Sequence, residues 1–366
     1  MTKKYRLLIV AIAWSSHTQS WVELIDKQIF KLKVFNFDFG EGSSSEISKT
    51  SKLYFTYKIY SFIKTILLWL TIKLWRPDII HSLGLFPASA IVEKLKKSIS
   101  NKSTWVVTAR GGPELALWRL TPVYKTSISR ILSSCNFFIA DNLQNYNYAL
   151  ELGLSRDKIS SLGVTPGSGG IDISFLNSLR KTRAVESRVI VFPKTYECPA
   201  SKALPVFEAI KICWDQIKPC TIYFTAVNDE TRFWFQALPE EIKQNCILLE
   251  RLPRTDLFKL FAESRVVIMP SLIDGIPNTL YETMACGAVP IVSPIETISE
   301  VFEKDVNVLF ARNLYPQEIA GELIRAMTDN SLAEKIVANN YTLVSEIADK
   351  NTISTKMNKF YNDLLT

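Results

Sequence analysis

Short apolar runs rich in Val, Ile and Phe alternate along the chain with longer stretches in which apolar residues recur at helical spacing. The runs predict strands over Tyr5–Ala13, Leu32–Phe37, Ile79–His81, Trp105–Thr108 and Phe137–Ala140. A second series follows over Val189–Phe192, Thr221–Thr225, Ile247–Leu249, Val266–Met269 and Val289–Val292. Helical patterns lie between most of them, for example Thr255–Glu263 and Pro316–Thr328. Continuous β-branched strands separated by helices predict parallel sheets covered on both faces, an α/β protein. The polar stretch Asn177–Ser187 interrupts the pattern near mid-chain and reads as a linker. Two doubly wound domains are therefore expected, over 1–177 and 178–349, facing each other across a cleft. A last helix, Thr352–Leu364 within 350–366, is expected to cross back onto the first domain.

The segment Leu53–Arg76 departs from the ordinary amphipathic pattern, because aromatic, aliphatic and basic residues are mixed along it. At 100° per residue, Lys58, Lys73 and Arg76 fall within about 60° of one another. A long helix packed on the first sheet and a helix lying in the headgroup region of a bilayer both fit this composition. The longest uncharged apolar stretch here, Thr65–Ile72, is far short of the roughly 20 residues of a spanning helix. The apolar run Leu7–Trp14 follows basic residues, but no small-residue cleavage site comes after it, so it reads as a buried strand.

The 366 residues suit two domains, and 47% apolar with 22% charged residues excludes a disordered or fibrous chain. The six cysteines are scattered without a C-x-x-C pair, which fits reduced thiols in the cytoplasm. With only His17 and His81, and no Cys/His cluster at ligand spacing, no metal site is expected. Charge is divided unevenly. Residues 1–180 hold 23 Lys and Arg against 12 Asp and Glu, a net of +11, whereas the remainder is −4. The first half is thus expected to face something anionic, and a membrane surface fits better than nucleic acid, since no nucleic-acid-binding motif is present.

The most informative stretch is VVIMPSLIDGIPNTLYETMACGAVPIV, residues 266–292. A buried strand ends at Pro270–Ser271, and a loop carries Asp274 and Gly275. A short helix is expected to start at Asn278 as N-cap and stop at Gly287. The first-turn amides of Thr279, Leu280 and Tyr281 would then face outward as an anion site for a diphosphate. Glu282, one turn further, is placed to accept hydrogen bonds from a ribose diol.

This stretch resembles the donor site of the retaining glycosyltransferases of the GT-B fold, family 4. There, two carboxylates eight residues apart flank a Gly-Pro loop and an E-A-M-A-x-G-like helix. The corresponding residues here are Asp274, Gly275, Pro277 and Glu282 to Gly287. PDIIHSLG (77–84), TARGGPE (108–114), SSLGVTPGSGGID (160–172), VFPK (191–194) with Lys202, and ERLPRTDLFKLFAES (250–264) agree in order. Three positions depart from the family pattern: Asp274 replaces Glu, Lys194 replaces Arg, and Trp14-Ser15-Ser16-His17 replaces a Gly pair.

The resemblance implies two Rossmann-like domains, the first binding the acceptor and the second a nucleoside diphosphate sugar, with no metal or other cofactor. Asp274, Lys194, Lys202 and His81 take the catalytic positions. Glu282, Gly275, Asn278, Thr279, Leu280, Leu252, Gly169 and Gly170 take the donor positions. His17 and Arg110 take the acceptor positions. The acceptor implied is a lipid-linked saccharide or glycan, in surface polysaccharide or glycolipid synthesis, with the enzyme cytoplasmic or peripheral on the inner face of the plasma membrane. For His17 and His81 a purely structural role is the other reading of the residues alone. A nucleotide-sugar epimerase on the same fold and a non-catalytic partner subunit are the alternatives for the whole chain.

Overall fold

Parallel strands buried on both faces organise the protein, as in β3 (Ile79–Leu83), where every residue is buried. The computed structural model describes residues 4–37, 52–96 and 103–365, with backbone only for 52–58. Two compact units are formed, one from residues 1–169 with 351–366 and the other from 170–350.

The first unit contains β1 (Tyr5–Ala11), β2 (Phe30–Asn36), β3, β4 (Thr104–Ala109), β5 (Phe137–Ala140) and β6 (Ile159–Val164). They form one parallel sheet in the order β2-β1-β3-β4-β5-β6. The chain leaves β1 toward one edge and returns past it to β3, so its direction reverses between β1 and β3. Leu68 and Ile72 from the helix Lys52–Trp75 pack with Ile91, Ile128 and Ile131 over one face. Trp21, Met357, Phe360 and Tyr361 cover the other face. Three of these come from the final helix, Lys350–Asp363, which is part of this unit's core.

The second unit contains β7 (Val189–Phe192), β8 (Thr221–Thr225), β9 (Cys246–Leu249), β10 (Val266–Met269), β11 (Val289–Val292) and β12 (Leu309–Phe310). Their order is β12-β11-β10-β7-β8-β9, again wholly parallel. Here the reversal falls between β7 and β10. The expected α/β class and both doubly wound sheets are present. β6 and β12 are additions to the ten strands that the pattern predicts.

The stretch 177–187 does not behave as a linker. Arg180 donates to the carbonyls of Cys286 and Ser264, and Ser187 Oγ donates to that of Glu263, which fastens the stretch into the second unit. The division between units falls at Gly169–Gly170 instead, both at positive φ. At Gly169 a Cβ would overlap Leu24 Cδ1 in the first unit, so glycine is required by packing as well as by backbone.

Candidate functional site

In open parallel sheets, loops at the carboxyl ends of strands diverge where the strand order reverses, leaving a crevice. In the second unit those loops follow β7 and β10. Beyond β7, the turn is pinned by Thr225 Oγ1 donating to Pro193 O and by Thr195 N donating to Thr225 O. It presents Lys194, whose Nζ lies 2.8 Å from Asp274 Oδ2 in the loop beyond β10. Asp274 Oδ1 also accepts from the Gly275 amide, and Thr297 Oγ1 donates to the Asp274 carbonyl, fixing this loop. Burial disfavours the ammonium of Lys194, but the charge and hydrogen bond of Asp274 prevail and hold its pKa above the usual lysine value.

Lys202 sits close to the same loops. Its amide donates to Asn313 Oδ1, and Asn313 Nδ2 donates to the carbonyls of Lys202 and Pro270. Asn313 thereby ties the Lys202 segment to the end of β10. The Lys202 ammonium is half-exposed, 3.4 Å from Glu197 Oε2. Glu197 Oε1 meanwhile accepts from the Ala203 and Leu204 amides at the start of the helix Leu204–Ile217.

Glu282 lies on the helix Asn278–Ala285 and is 4% exposed. Burial raises its pKa, while the neighbouring charges of Arg254 and Lys194 oppose the rise. Arg254 Nη2 pairs directly with Glu282 Oε1. The structure therefore gathers Lys194, Asp274, Glu282 and Arg254 at one reversal point, with Lys202 on an adjoining loop. Leu252 is partly buried against the same core cluster as Leu280.

Two details of this helix differ from expectation. Pro277, not Asn278, occupies the N-cap position and makes no side-chain cap; Asn278 is the first helical residue. The Leu280 amide donates to Pro277 O, so the expected row of outward amides loses one member to the tight first turn. Thr279 is partly exposed in that turn, and Thr283 Oγ1 donates to its carbonyl. At the other end Gly287 adopts φ +74. Its amide donates to Met284 O and the Ala288 amide to Thr283 O, the paired bonds of a left-handed helix stop.

The first unit holds the other sequence candidates. His81 is fully buried: its Nδ1 lies 2.5 Å from Tyr361 Oη and its Nε2 2.6 Å from Thr108 Oγ1. Burial, with the Arg110 charge adding to it, lowers its pKa to about 3, so the ring is neutral. Both ring nitrogens are thus engaged in the interior, where His81 ties the final helix to the sheet. His17 is exposed in the first turn of the helix Ser16–Glu23, which Ser15 caps. Arg110 follows β4; its Nη2 donates to Leu83 O, and its Nη1 is buried without a hydrogen-bond partner. Glu114 accepts from the Leu85 and Arg110 amides, and burial raises its pKa to about 7 against the pull of those bonds and of Arg110. Asp141, nearly fully buried, accepts from the Gly111 amide and from Asn142 and Asn145 Nδ2.

Arg254, Asn313, Glu114, Asp141 and Tyr361 were not reached from the sequence. Arg254 and Glu114 lie inside the quoted stretches ERLPRTDLFKLFAES and TARGGPE, where a charge at a helix start was the available signal. Among the described residues, no group of three or more His, Cys, Asp and Glu side chains could hold a metal ion.

Residues 207–343 match the family model described as Glycosyl transferases group 1. No curated protein matches the chain. Solved structures share the fold at low identity. The chain is similar to Anabaena Alr3699/HepE in complex with UDP-glucose, at 13% identity and TM-score 0.74, covering 98% of this chain and 99% of that one. It is also similar to sucrose-phosphate synthase from Thermosynechococcus elongatus, at 13% identity and TM-score 0.72, covering 99% of each chain. A glycosyltransferase from Rickettsia africae gives 15% identity and TM-score 0.70, covering 100% of this chain and 99% of that one. The architecture is GT-B.

Proposed function

We propose that the protein moves a sugar from a nucleoside diphosphate sugar to an acceptor hydroxyl with retention of anomeric configuration, as in glycosyltransferase family 4. The observation that carries this reading is the Lys194–Asp274 pair standing across the β7–β10 reversal, with the Glu282–Arg254 pair beside it. The match of residues 207–343 to the group 1 model and the UDP-glucose bound to the Anabaena neighbour support it.

In this reading the diphosphate lies against Lys194, Lys202 and the first turn of Asn278–Ala285, where Thr279 and Leu280 stand. Two ammonium groups then stabilise the charge that grows on the leaving phosphate as the anomeric carbon–oxygen bond breaks. Glu282 accepts from the ribose diol, and the charge of Arg254 beside it favours the carboxylate form against its burial. Leu252 packs against the base. Asp274 and Gly275 border the sugar, with Lys194 paired to the Asp274 carboxylate. The acceptor oxygen bonds the anomeric carbon on the face the phosphate leaves, and its proton passes to the departing phosphate oxygen. No protein nucleophile and no metal ion enters this scheme.

The first unit is assigned the acceptor. Arg110, with Nη1 buried and unpaired, suits an anionic group such as a lipid phosphate, and His17 is exposed beyond the end of β1. A lipid-linked saccharide or glycan at the cytoplasmic face of the plasma membrane, in surface polysaccharide or glycolipid synthesis, is the acceptor class proposed. Proton magnetic resonance of the product tests the mechanism: the anomeric coupling should match that of the donor, and an inverted anomer would overturn it.

A further inference from the structure

The helix Lys52–Trp75 connects β2 to β3 and, at 24 residues, runs about 36 Å. A helix covering one face of a sheet needs one apolar stripe. This helix has two. Leu68 and Ile72 form the inner stripe and are buried against Phe37 and the sheet. On the far side, Ile59, Phe62, Ile63, Ile66, Leu70 and Leu74 are all exposed, Phe62 by 66% and Leu74 by 79%. At 100° per residue these six fall within an arc of about 120°, opposite Leu68 and Ile72. Trp69 and Leu67, also exposed, flank the arc. Single exposed apolar residues are ordinary, but a continuous stripe from Ile59 to Leu74 marks a binding surface.

Charge identifies the occupant. From residue 52 to 76 the sequence has five Lys and Arg and no Asp or Glu. Lys73 projects within the apolar arc, and Arg76 is exposed just past the helix end. Lys64 lies over the Tyr60 ring and donates to Asn36 O, and Lys33 from β2 lies over the Trp75 ring. The side chain of Lys58, the third member of the sequence-predicted basic group, lies outside the described residues. A second copy of the same face would bring Lys73 and Arg76 against like charges with no carboxylate on the segment to meet them. An anionic lipid surface offers phosphates to the cations and hydrocarbon to the stripe together. No helix of the described residues is long and apolar enough to cross a membrane.

We infer that the Lys52–Trp75 helix lies in the plane of an anionic bilayer interface, with Phe62, Ile66, Leu70 and Leu74 inserted among the acyl chains and Lys73 and Arg76 at the headgroups. The inference stands on this helix alone and holds whatever the second unit binds. It also changes the mode of attachment from that read in the sequence: burial of apolar side chains holds the protein, and the cations select the lipid.

Flotation with phosphatidylcholine vesicles, with and without phosphatidylglycerol, tests it on the full chain. The protein should bind vesicles containing phosphatidylglycerol and stay largely bound when salt is raised after association, since inserted apolar groups are not screened. Phe62→Ser with Leu74→Ser should lower the partition coefficient at least about tenfold, each change removing a large apolar group. Both positions are exposed, and Leu74→Gln alone, with an unchanged circular dichroism melt, guards against a folding defect; it should also weaken binding. Lys73→Ala with Arg76→Ala should abolish the preference for anionic vesicles while leaving some binding to both kinds. Three results would overturn the inference. These are absence of vesicle binding, binding that high salt removes and the apolar variants leave intact, and a concentration-dependent dimer that the apolar variants dissolve without any lipid binding.

Discussion

Glu282 is 4% exposed with its charge balanced by Arg254, and burial pushes its proton affinity up. A carboxylate held in this way can accept two hydroxyl hydrogen bonds from a ribose without being hydrated first. Glu282→Gln should remove charge-assisted hydrogen bonds worth about 1.5–3 kcal/mol, weakening nucleoside diphosphate binding roughly 10- to 100-fold. Calorimetry with a panel of nucleoside diphosphates checks this, and unchanged affinity would take Glu282 out of the site. The residues of the 266–292 stretch were legible because strand, loop and helix follow one another there without interruption. Arg254 and Asn313 were not, because their partners lie far away in sequence: Arg254 pairs with Glu282, and Asn313 ties Lys202 to Pro270. Spacing along the chain carries no record of such pairs.

At the scale of elements, the apolar runs located ten strands, and the two that were missed have physical reasons. β6 (Ile159–Val164) reads ISSLGV, with two serines and a glycine, and lies at the edge of its sheet. β12 is two residues long, also at an edge. Neither position demands a continuous apolar run. The stretch 177–187 looked like a linker because its arginines are polar in sequence, yet Arg180 spends its donors on the carbonyls of Cys286 and Ser264. His81 shows the same limit: the sequence places it on a strand but not beneath Tyr361 of the final helix. That contact has a consequence for pH. A histidine whose pKa falls from about 6.5 unfolded to about 3 folded leaves the unfolded chain binding more protons, so stability is lost as pH drops below about 6.5. Between pH 7 and 5 the loss from this group should be about 2 kcal/mol. Glu114, raised to about 7, acts in the opposite direction, so the comparison must be with a variant. Denaturant melts should show the stability of His81→Gln gaining about 2 kcal/mol on the wild type as pH falls from about 7 to about 5, and an unchanged difference between the two would refute the assignment.

At the scale of the whole molecule, the charge division of +11 and −4 between sequence halves matches the division of tasks proposed for the units. The basic half of the sequence and the exposed apolar helix belong to the first unit, and the paired carboxylates and cations at the β7–β10 reversal belong to the second. Fold class was legible from alternation alone, because parallel sheets need apolar strands and long crossovers. The placement of candidate site residues was legible only where a sequence motif and a strand end coincide, as at Lys194 and Asp274. The central claim is acceptor-dependent sugar transfer, and one measurement meets it directly: release of nucleoside diphosphate from a panel of nucleotide sugars, with and without a lipid extract. The account predicts release from at least one donor that rises strongly when the extract is present. Release at the same rate without acceptor, accompanied by a free altered sugar, or no release from any donor, would contradict it.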